Sequence, residues 1–288
     1  MAVRPGGSGM LAMAATAILW SLAGLFIKII DWHPLTIAGF RSLISSVIIF
    51  IYLKRPHLHW SFPQVAAALA NAATMLLFVA ANKTTTASNA IILQYVGPVF
   101  TALIGAALLK ERAGREHWLA FIFVAGGISL MFMDKLGGGH MAGNIMAILS
   151  ALTFSFYFVF MRMQKDGSPL ESILLSHWLT AGIGLAASLF LPKPHWTTAS
   201  LGAIAVLGCF QVGLSAILFS YAIKRISAVT ANLIAVIEPV FNPVWVFLAL
   251  GEAPRARSLA GGLVIIIAVT AASMINARRS SAAVRVSS

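Results

Sequence analysis

Hydrophobic residues in this chain fall into ten long runs that are separated by short polar turns. Each run is close to the roughly 20 apolar residues that a helix needs to cross a bilayer. The pattern therefore predicts an all-α integral membrane protein with ten transmembrane helices. The predicted spans, with edges uncertain by a few residues, are 10–30, 35–53, 62–81, 87–109, 117–133, 143–162, 170–191, 199–221, 229–250 and 258–276.

The fourth run has a second copy in the ninth. Residues 81–112 read ANKTTTASNAIILQYVGPVFTALIGAALLKER, and residues 222–253 read AIKRISAVTANLIAVIEPVFNPVWVFLALGEA without a gap. Each copy has a basic turn, an apolar span with a proline near its middle, and a glutamate at the far end. Matching interrupted helices in two halves of a chain are typical of a transporter's substrate site. The identical pairs are Ala81/Ala222, Lys83/Lys224, Ala87/Ala228, Ala90/Ala231, Pro98/Pro239, Val99/Val240, Phe100/Phe241, Leu109/Leu250 and Glu111/Glu252.

A glycine-rich joint, Gly137–His140, separates the first five spans from the last five. We therefore expect two five-helix repeats, 1–139 and 140–288, that form one transport domain. An odd number of helices per repeat inverts the second copy relative to the first. With a cytoplasmic N-terminus, thirteen lysines and arginines fall in inner segments and six in outer segments. This bias predicts that both termini are cytoplasmic and that the first span is an uncleaved helix.

The doubled motif resembles the EamA-type branch of the drug/metabolite transporter superfamily. Its residues are Pro98–Phe100 with Leu109–Glu111 in the first copy, and Glu238–Phe241 with Leu250–Glu252 in the second. The resemblance covers essentially the whole chain and implies ten helices in two inverted five-helix repeats. It also implies a cavity lined by the first, third, fourth, sixth, eighth and ninth helices. Family members are often exporters of amino acids and related metabolites, which implies a bacterial inner-membrane exporter here.

Composition supports a membrane protein and weighs against other classes. The chain is 59% hydrophobic and 10% charged, whereas soluble proteins carry about 25% charged residues. The net charge of +12 lies in short loops between apolar runs, so we expect a lipid bilayer as partner and no nucleic acid. The single cysteine, Cys209, and the scattered histidines indicate no disulfide and no metal site. No catalytic constellation or phosphate-binding loop is present, so we expect neither an enzyme nor a cofactor.

Glu238 is the main candidate for function. It lies about nine residues into its span, roughly 14 Å deep at about 1.5 Å per residue. A carboxyl group at that depth is costly and usually functional, although Glu238 could instead only bond a neighbouring helix. Pro239 removes the hydrogen bond to the carbonyl of Ala235. The first copy has Gly97 in place of the acid, so a charge-based role rests on the second half alone.

Other polar and aromatic residues at membrane depth complete the candidate site. Gln94, Pro98 and Thr101 share one helix face, and Pro98 frees the carbonyl of Gln94 as Pro239 frees that of Ala235. Simple bonding between helices would explain these polar groups nearly as well. The predicted substrate-binding residues are Trp20, Ser21, Asn71, Thr74, Gln94, Tyr95, Pro98, Phe154, Tyr157, Gln211, Ser215, Glu238 and Pro239.

Two further polar residues are assigned no functional role. Arg41 lies close enough to the outer end of its span for its head group to reach the membrane surface, and His177 receives the same interpretation. Gly126-Gly127 and Gly261-Gly262 indicate close helix packing, either within a monomer or in a homodimer.

These residues favour a neutral amino acid as substrate. Glu238 and the freed carbonyls can bind the ammonium, while the amides of Asn71, Gln94 and Gln211 can bind the carboxylate. The aromatic residues would accept a large side chain. Cationic drugs or quaternary ammonium compounds remain the alternative. Nucleotide sugars are disfavoured because one deep acid and no deep unpaired base are available. A membrane-embedded enzyme or scaffold would need a reactive cluster that the sequence does not contain.

The predicted topology is tested by chemical labelling. Single cysteines placed at Lys83 and Lys224 should react with an impermeant reagent from opposite sides of the membrane, because their loops are equivalent in two inverted repeats. Reaction of both from the same side would rule out the inversion.

Overall fold

The computed structural model describes residues 5–85, 93–132, 141–250 and 256–286. Within these ranges the regular structure is entirely helical. The helices are α1 (Pro5–Trp20), α2 (Ala23–Ile29), α3 (Pro34–Leu53), α4 (Phe62–Thr84), α5 (Gly97–Leu108), α6 (Arg115–Phe132), α7 (Met141–Met163), α8 (Pro169–Ser188), α9 (Thr198–Val206), a π-helical segment (Leu207–Leu214), α10 (Ser215–Ile223), α11 (Ala228–Ala235), α12 (Glu238–Leu250) and α13 (Ala256–Val286).

Helical residues occur within each of the ten predicted spans. Five helical stretches are long and apolar enough to cross a membrane on their own: Gly7–Ile27, Pro34–Leu53, Met141–Met163, Pro169–Ser188 and Thr198–Ile223. Shorter apolar helices occupy Phe62–Phe78, Gly97–Leu108, Ala228–Phe241 and Leu259–Ile275. The joint Gly137–His140 and the second-copy Glu252 lie outside the described residues.

Prolines and side-chain caps begin many of these helices. The first turns of α3, α4, α5 and α8 contain Pro34, Pro63, Pro98 and Pro169, respectively. A backbone N–H in the first turn has no partner within the helix, so a proline there costs no hydrogen bond. At the start of α11 the Ser227 side chain accepts a hydrogen bond from the backbone N–H three residues on. Such caps satisfy N–H groups that have no partner within the helix.

Equivalent helices of the two halves pack against each other. The second span (α3) packs on the seventh (α8), the fourth (α5) on the ninth (α11), and the fifth (α6) on the tenth (α13). The remaining large contacts come in matched pairs: α4 with α7 corresponds to α10 with α1, and α4 with α8 corresponds to the π segment with α3. Exchanging the two halves therefore leaves the pattern of helix pairing unchanged, as a two-fold relation between repeats requires.

Glycines let several of these helices approach closely. Where α3 crosses α8, a Cβ on Gly39 would lie 2.9 Å from the backbone of α8, and one on Gly184 would lie 2.7 Å from that of α3. A Cβ on Gly127 of α6 would lie 2.8 Å from the backbone of α13, and one on Gly262 of α13 would lie 2.9 Å from Val240. These contacts confirm close packing within the monomer at Gly127 and Gly262. Gly126 has open space around it instead.

The motif residue Glu111 joins the two halves at one end of the bundle. Its carboxylate accepts a hydrogen bond from Arg162 Nε at 2.8 Å and another from the backbone N–H of Ala228 at 3.2 Å. Arg162 also donates to the carbonyl of Ile223 at 3.0 Å. Glu111 follows α5, Arg162 lies in the last turn of α7, and the two backbone groups belong to the last residue of α10 and the first residue of α11. This partly buried pair therefore fixes the ends of four helices.

Replacing Arg162 should destabilise the bundle. Arg162→Ala removes both bonds and leaves the carboxylate of Glu111 without its cation, so we expect the free energy of unfolding to fall by about 1.5–3 kcal/mol, the usual value for a hydrogen bond to a charged group. Thermal unfolding of the purified protein in detergent measures this loss of stability. The matched control is Lys165→Ala, on the exposed turn that follows α7. Equal unfolding temperatures for the two variants would contradict this role.

Candidate functional site

Four of the predicted spans contain an irregular point near their middle. The first is interrupted at Ser21–Leu22, between α1 and α2, and the ninth at Val236–Ile237, between α11 and α12. In the fourth, a turn at Tyr95–Val96 precedes α5, and the eighth contains the π segment Leu207–Leu214. Pro98 and Pro239 follow their breaks within three residues, where a proline cannot donate to the preceding turn. Such irregular backbone at membrane depth is tolerated where it is enclosed by protein or lines a polar cavity.

Tryptophan side chains bond these irregular points to one another. Trp20 Nε1, at the end of α1, donates to Ser215 Oγ at 3.0 Å, directly after the π segment. Trp245 Nε1 of α12 donates to Ser21 Oγ at 2.7 Å, inside the first break. Ser21 and Ser215 are fully or almost fully buried. Both bonds join the first half of the chain to the second.

Glu238 is the first residue of α12, directly after the break at Val236–Ile237, and it is half-buried. The hydroxyl of Tyr95, which lies in the break before α5, is close enough to interact with the Glu238 side chain. The guanidinium of Arg41, on α3, is close enough to interact electrostatically with Glu238. The ion pairs among the described residues are those of Glu116 with His117 and Glu111 with Arg162, so Arg41 and Glu238 are near each other without direct contact.

The expectation that Arg41 extends to the membrane surface is wrong. Its Nη1 is directed into the bundle, 3.5 Å from Gln211 Oε1 in the π segment, and its Nε is buried. The reason is the close packing of the π segment on α3. A Cβ on Gly208 would lie 2.5 Å from Ile44, and one on Gly213 would lie 3.2 Å from Ile48. Arg41 shares a helix face with these two isoleucines and so points the same way.

His177 is also inside the bundle, not at its surface. It is 2% exposed, it lies on α8 within electrostatic reach of Arg41, and its Nδ1 has no hydrogen-bond partner among the described residues. Its burial follows from the α3–α8 crossing at Gly39 and Gly184. The interpretation of His177 as a surface-reaching residue is therefore wrong as well.

Aromatic rings form a wall beside the first break. The ring of Trp20 lies 5.9 Å from Phe154 and 5.7 Å from Phe219, and Tyr157 stacks on Phe219 at 5.4 Å. The structure thus brings together three predicted residues: Trp20, Phe154 and Tyr157. Sequence reasoning missed Phe219 and Trp245, although both occur one or two turns from a predicted residue on the same helix. Tyr157 is 3% exposed, so it supports the wall from behind.

Asn71, Thr74 and Gln94 form a separate polar cluster. Asn71 Nδ2 donates to Ser176 Oγ at 2.8 Å, and Thr74 Oγ1 donates to Thr153 Oγ1 at 2.9 Å. Gln94 Nε2 donates to Ser150 Oγ at 3.3 Å. These bonds connect α4 and the fourth span to α7 and α8. They agree with the simpler alternative of bonding between helices, and substrate contact by these residues stays a prediction.

Two cavities lie at the sides of this centre. One, of about 150 Å³, opens between α5 and α6 and includes Tyr95, Pro98 and Phe121 in its lining. The other, of about 240 Å³, lies at an end of the bundle around Gln164 and Glu171 and has no predicted site residue in its lining. Tyr95 therefore faces both Glu238 and the first cavity.

Comparison with known proteins identifies the family. The model of the EamA-like transporter family matches residues 7–133 and again residues 141–274. The chain belongs to the EamA-like transporter family. The two matches fall on the two halves that also share the doubled motif. The resemblance read from that motif is thereby confirmed, and the protein is a multi-pass membrane transporter of small solutes.

Relatives across the domains of life align with most of the chain. The uncharacterized transporter YdfC of Bacillus subtilis is 26% identical over 267 residues, covering 86% of this chain and 85% of the relative. Human solute carrier family 35 member G1 is 23% identical over 286 residues, covering 90% and 77%. An uncharacterized transporter of Archaeoglobus fulgidus is 24% identical over 266 residues, covering 91% and 94%.

A solved crystal structure has the same fold. It superposes with a TM-score of 0.83 at 20% sequence identity, over 94% of this chain and 98% of the other. At that identity the similarity concerns the fold alone. The substrate must therefore be argued from the residues of the site.

Replacing the central acid provides the first test of the site. Glu238→Gln keeps the shape of the side chain and its hydrogen-bonding capacity but removes the charge. We expect transport to fall by roughly tenfold or more, since losing one buried charged partner typically costs 2–5 kcal/mol. Expression, membrane insertion and elution volume should be unchanged. Asp166→Asn, on an exposed loop, is the matched control. Wild-type transport with wild-type pH dependence in the Glu238 variant would reduce Glu238 to a structural role.

Proposed function

We propose that the protein is a bacterial inner-membrane exporter of small organic metabolites, and that neutral amino acids, including aromatic ones, are its substrates. In this proposal ten helices cross the membrane in two inverted five-helix repeats, and both termini are cytoplasmic. The observation that carries the proposal is the position of Glu238. Its carboxyl group lies directly after a helix break and within reach of Tyr95, and α12, which begins at Glu238, packs against α1, which carries Trp20.

This arrangement suits both ends of an amino acid. A carboxylate at a broken helix, next to backbone carbonyls that the prolines release, attracts an ammonium group. The rings of Trp20 and Phe154 offer apolar area on which a phenyl or indole side chain can stack. One charged group and a large apolar surface favour a neutral amino acid over a highly charged solute.

The bonds between the halves support transport by alternating access. The contacts of Trp20 with Ser215, of Trp245 with Ser21 and of Tyr95 with Glu238 each join one repeat to the other. Rocking one half against the other would change these contacts together, and a substrate bound among them would influence the motion. The family favours transport over the alternative of a membrane-embedded enzyme or scaffold. No cofactor is needed, and the unit would be a monomer or a homodimer.

Export of cationic drugs is the second candidate. A carboxylate beside aromatic rings also suits a quaternary ammonium ion, which binds by electrostatic attraction and by contact with ring faces. This candidate uses Glu238 and Trp20 in the same way but needs no group for a substrate carboxylate.

Counterflow in proteoliposomes separates the two candidates. Liposomes preloaded with unlabelled phenylalanine should accumulate labelled phenylalanine, tryptophan and tyrosine, because these fit both the acid and the aromatic wall. Cells that overproduce the protein should also tolerate toxic aromatic amino-acid analogues better than cells with Glu238→Gln. Accumulation of tetraphenylphosphonium or a quaternary ammonium dye, with no amino-acid counterflow, would favour the drug exporter and overturn our proposal.

A further inference from the structure

Among the described residues, Arg41 has few hydrogen-bond partners for a guanidinium that is directed into the bundle. The group has five N–H donors. Its described contact is one bond to Gln211 at 3.5 Å, at the limit of hydrogen-bond length, and its Nε is enclosed without a partner among the described residues. A charged group removed from water is tolerated when it is paired and hydrogen-bonded. The arrangement around Arg41 is therefore incomplete as it stands.

The groups that face Arg41 do not supply the missing anion. Gln211 is neutral, and His177 can only add positive charge. Glu238 interacts with Arg41 electrostatically but forms no direct ion pair with it. Two opposite charges thus lie near each other in the centre of the bundle, on helices of different halves, without touching.

We propose that Arg41 binds the carboxylate of a zwitterionic substrate while Glu238 binds its ammonium group. This inference rests on the proposed function and assigns the carboxylate to a residue that the sequence did not place in the site. A guanidinium can donate two parallel bonds to a carboxylate, which gives stronger and more directional binding than an amide. Of the three amides expected in this role, Asn71 and Gln94 already donate to serines of neighbouring helices, and Gln211 accepts from Arg41.

Gln211 and the π segment position the guanidinium. Gln211 Oε1 accepts from Arg41, and the backbone carbonyl of Gln211 accepts from Ser215 Oγ at 2.6 Å. Ser215 in turn accepts from Trp20 Nε1. A chain of hydrogen bonds therefore links the proposed carboxylate site to the aromatic wall. A substrate held by Arg41 would place its side chain towards Trp20.

The inference predicts a selectivity that a single charge cannot produce. Phenylalanine presents both charges, 2-phenylethylamine lacks the carboxylate, and 3-phenylpropanoate lacks the ammonium. The wild-type protein should transport phenylalanine in preference to either analogue, since each analogue leaves one buried charge of the site unpaired.

Charge-removing variants of the two residues test the assignment with these three compounds. Transport of each is measured in proteoliposomes for wild type, Arg41→Gln, Arg41→Lys and Glu238→Gln, with Arg55→Gln on an exposed loop as control. Arg41→Gln should reduce phenylalanine transport about tenfold or more, the effect of losing one charge-assisted pair. It should leave phenylethylamine transport equal or increased. Arg41→Lys should show an intermediate loss, which keeps the test valid if the glutamine variant folds poorly.

The outcomes distinguish a failure of the proposed function from a failure of the role assigned to Arg41. If wild type transports no amino acid, the proposed function fails and the role of Arg41 fails with it. If wild type transports phenylalanine but both Arg41 variants reduce phenylalanine and phenylethylamine by the same factor, Arg41 is structural or only a counter-ion of Glu238. In that case the inference is overturned while the proposed function stands.

Discussion

Every backbone polar group inside a membrane protein must find a partner within the protein, because hydrocarbon offers none. An interrupted helix is therefore stable only where other helices supply those partners. In this chain the interruptions at Ser21–Leu22, Tyr95–Val96 and Val236–Ile237 and the π segment meet at the centre of the bundle. Side chains from the opposite half bond to the residues at these points. Hydrogen bonds at these interruptions therefore stabilise the centre of the transporter.

The two halves are similar in helix pairing but different in charge. Glu238 occupies the position before the motif proline in the second half, and Gly97 occupies it in the first. Around Gly97 the space is used for packing between helices: its carbonyl accepts a hydrogen bond from Ser155 at 2.8 Å, and Asn232 lies next to it. A duplicated fold therefore carries one central acid instead of two. Among the described residues, the other charged side chain at the centre is that of Arg41, on α3 of the first half. The nearly matching position on α8 of the second half holds His177 instead.

Regular hydrophobic periodicity made most of the fold predictable from the sequence. The helical membrane fold, the repeat and the family follow from runs of apolar residues and from the doubled proline motif. Glu238, Trp20 and Phe154 could be identified because a charge or a large aromatic ring at mid-span contradicts the lipid environment. The structure brings Trp20 and Phe154 together, and substrate binding by the three residues stays a prediction.

Features that depend on contacts between distant helices could not be predicted. No proline marks the break at Ser21–Leu22 or the π segment. The inward direction of Arg41 results from Gly208 and Gly213, more than 160 positions away, which bring the π segment against α3. Polarity alone likewise does not show whether Asn71 and Thr74 line a cavity or only bond neighbouring helices, so their contact with substrate stays a prediction.

The location of a bound substrate tests the central claim most directly. A crystal structure of the protein with 4-bromophenylalanine can locate the ligand by the anomalous scattering of bromine. Our account predicts a bromine peak beside Trp20 and Phe154, with the amino-acid head group between Arg41 and Glu238. A peak in the cavity between α5 and α6, away from both charges, would contradict it.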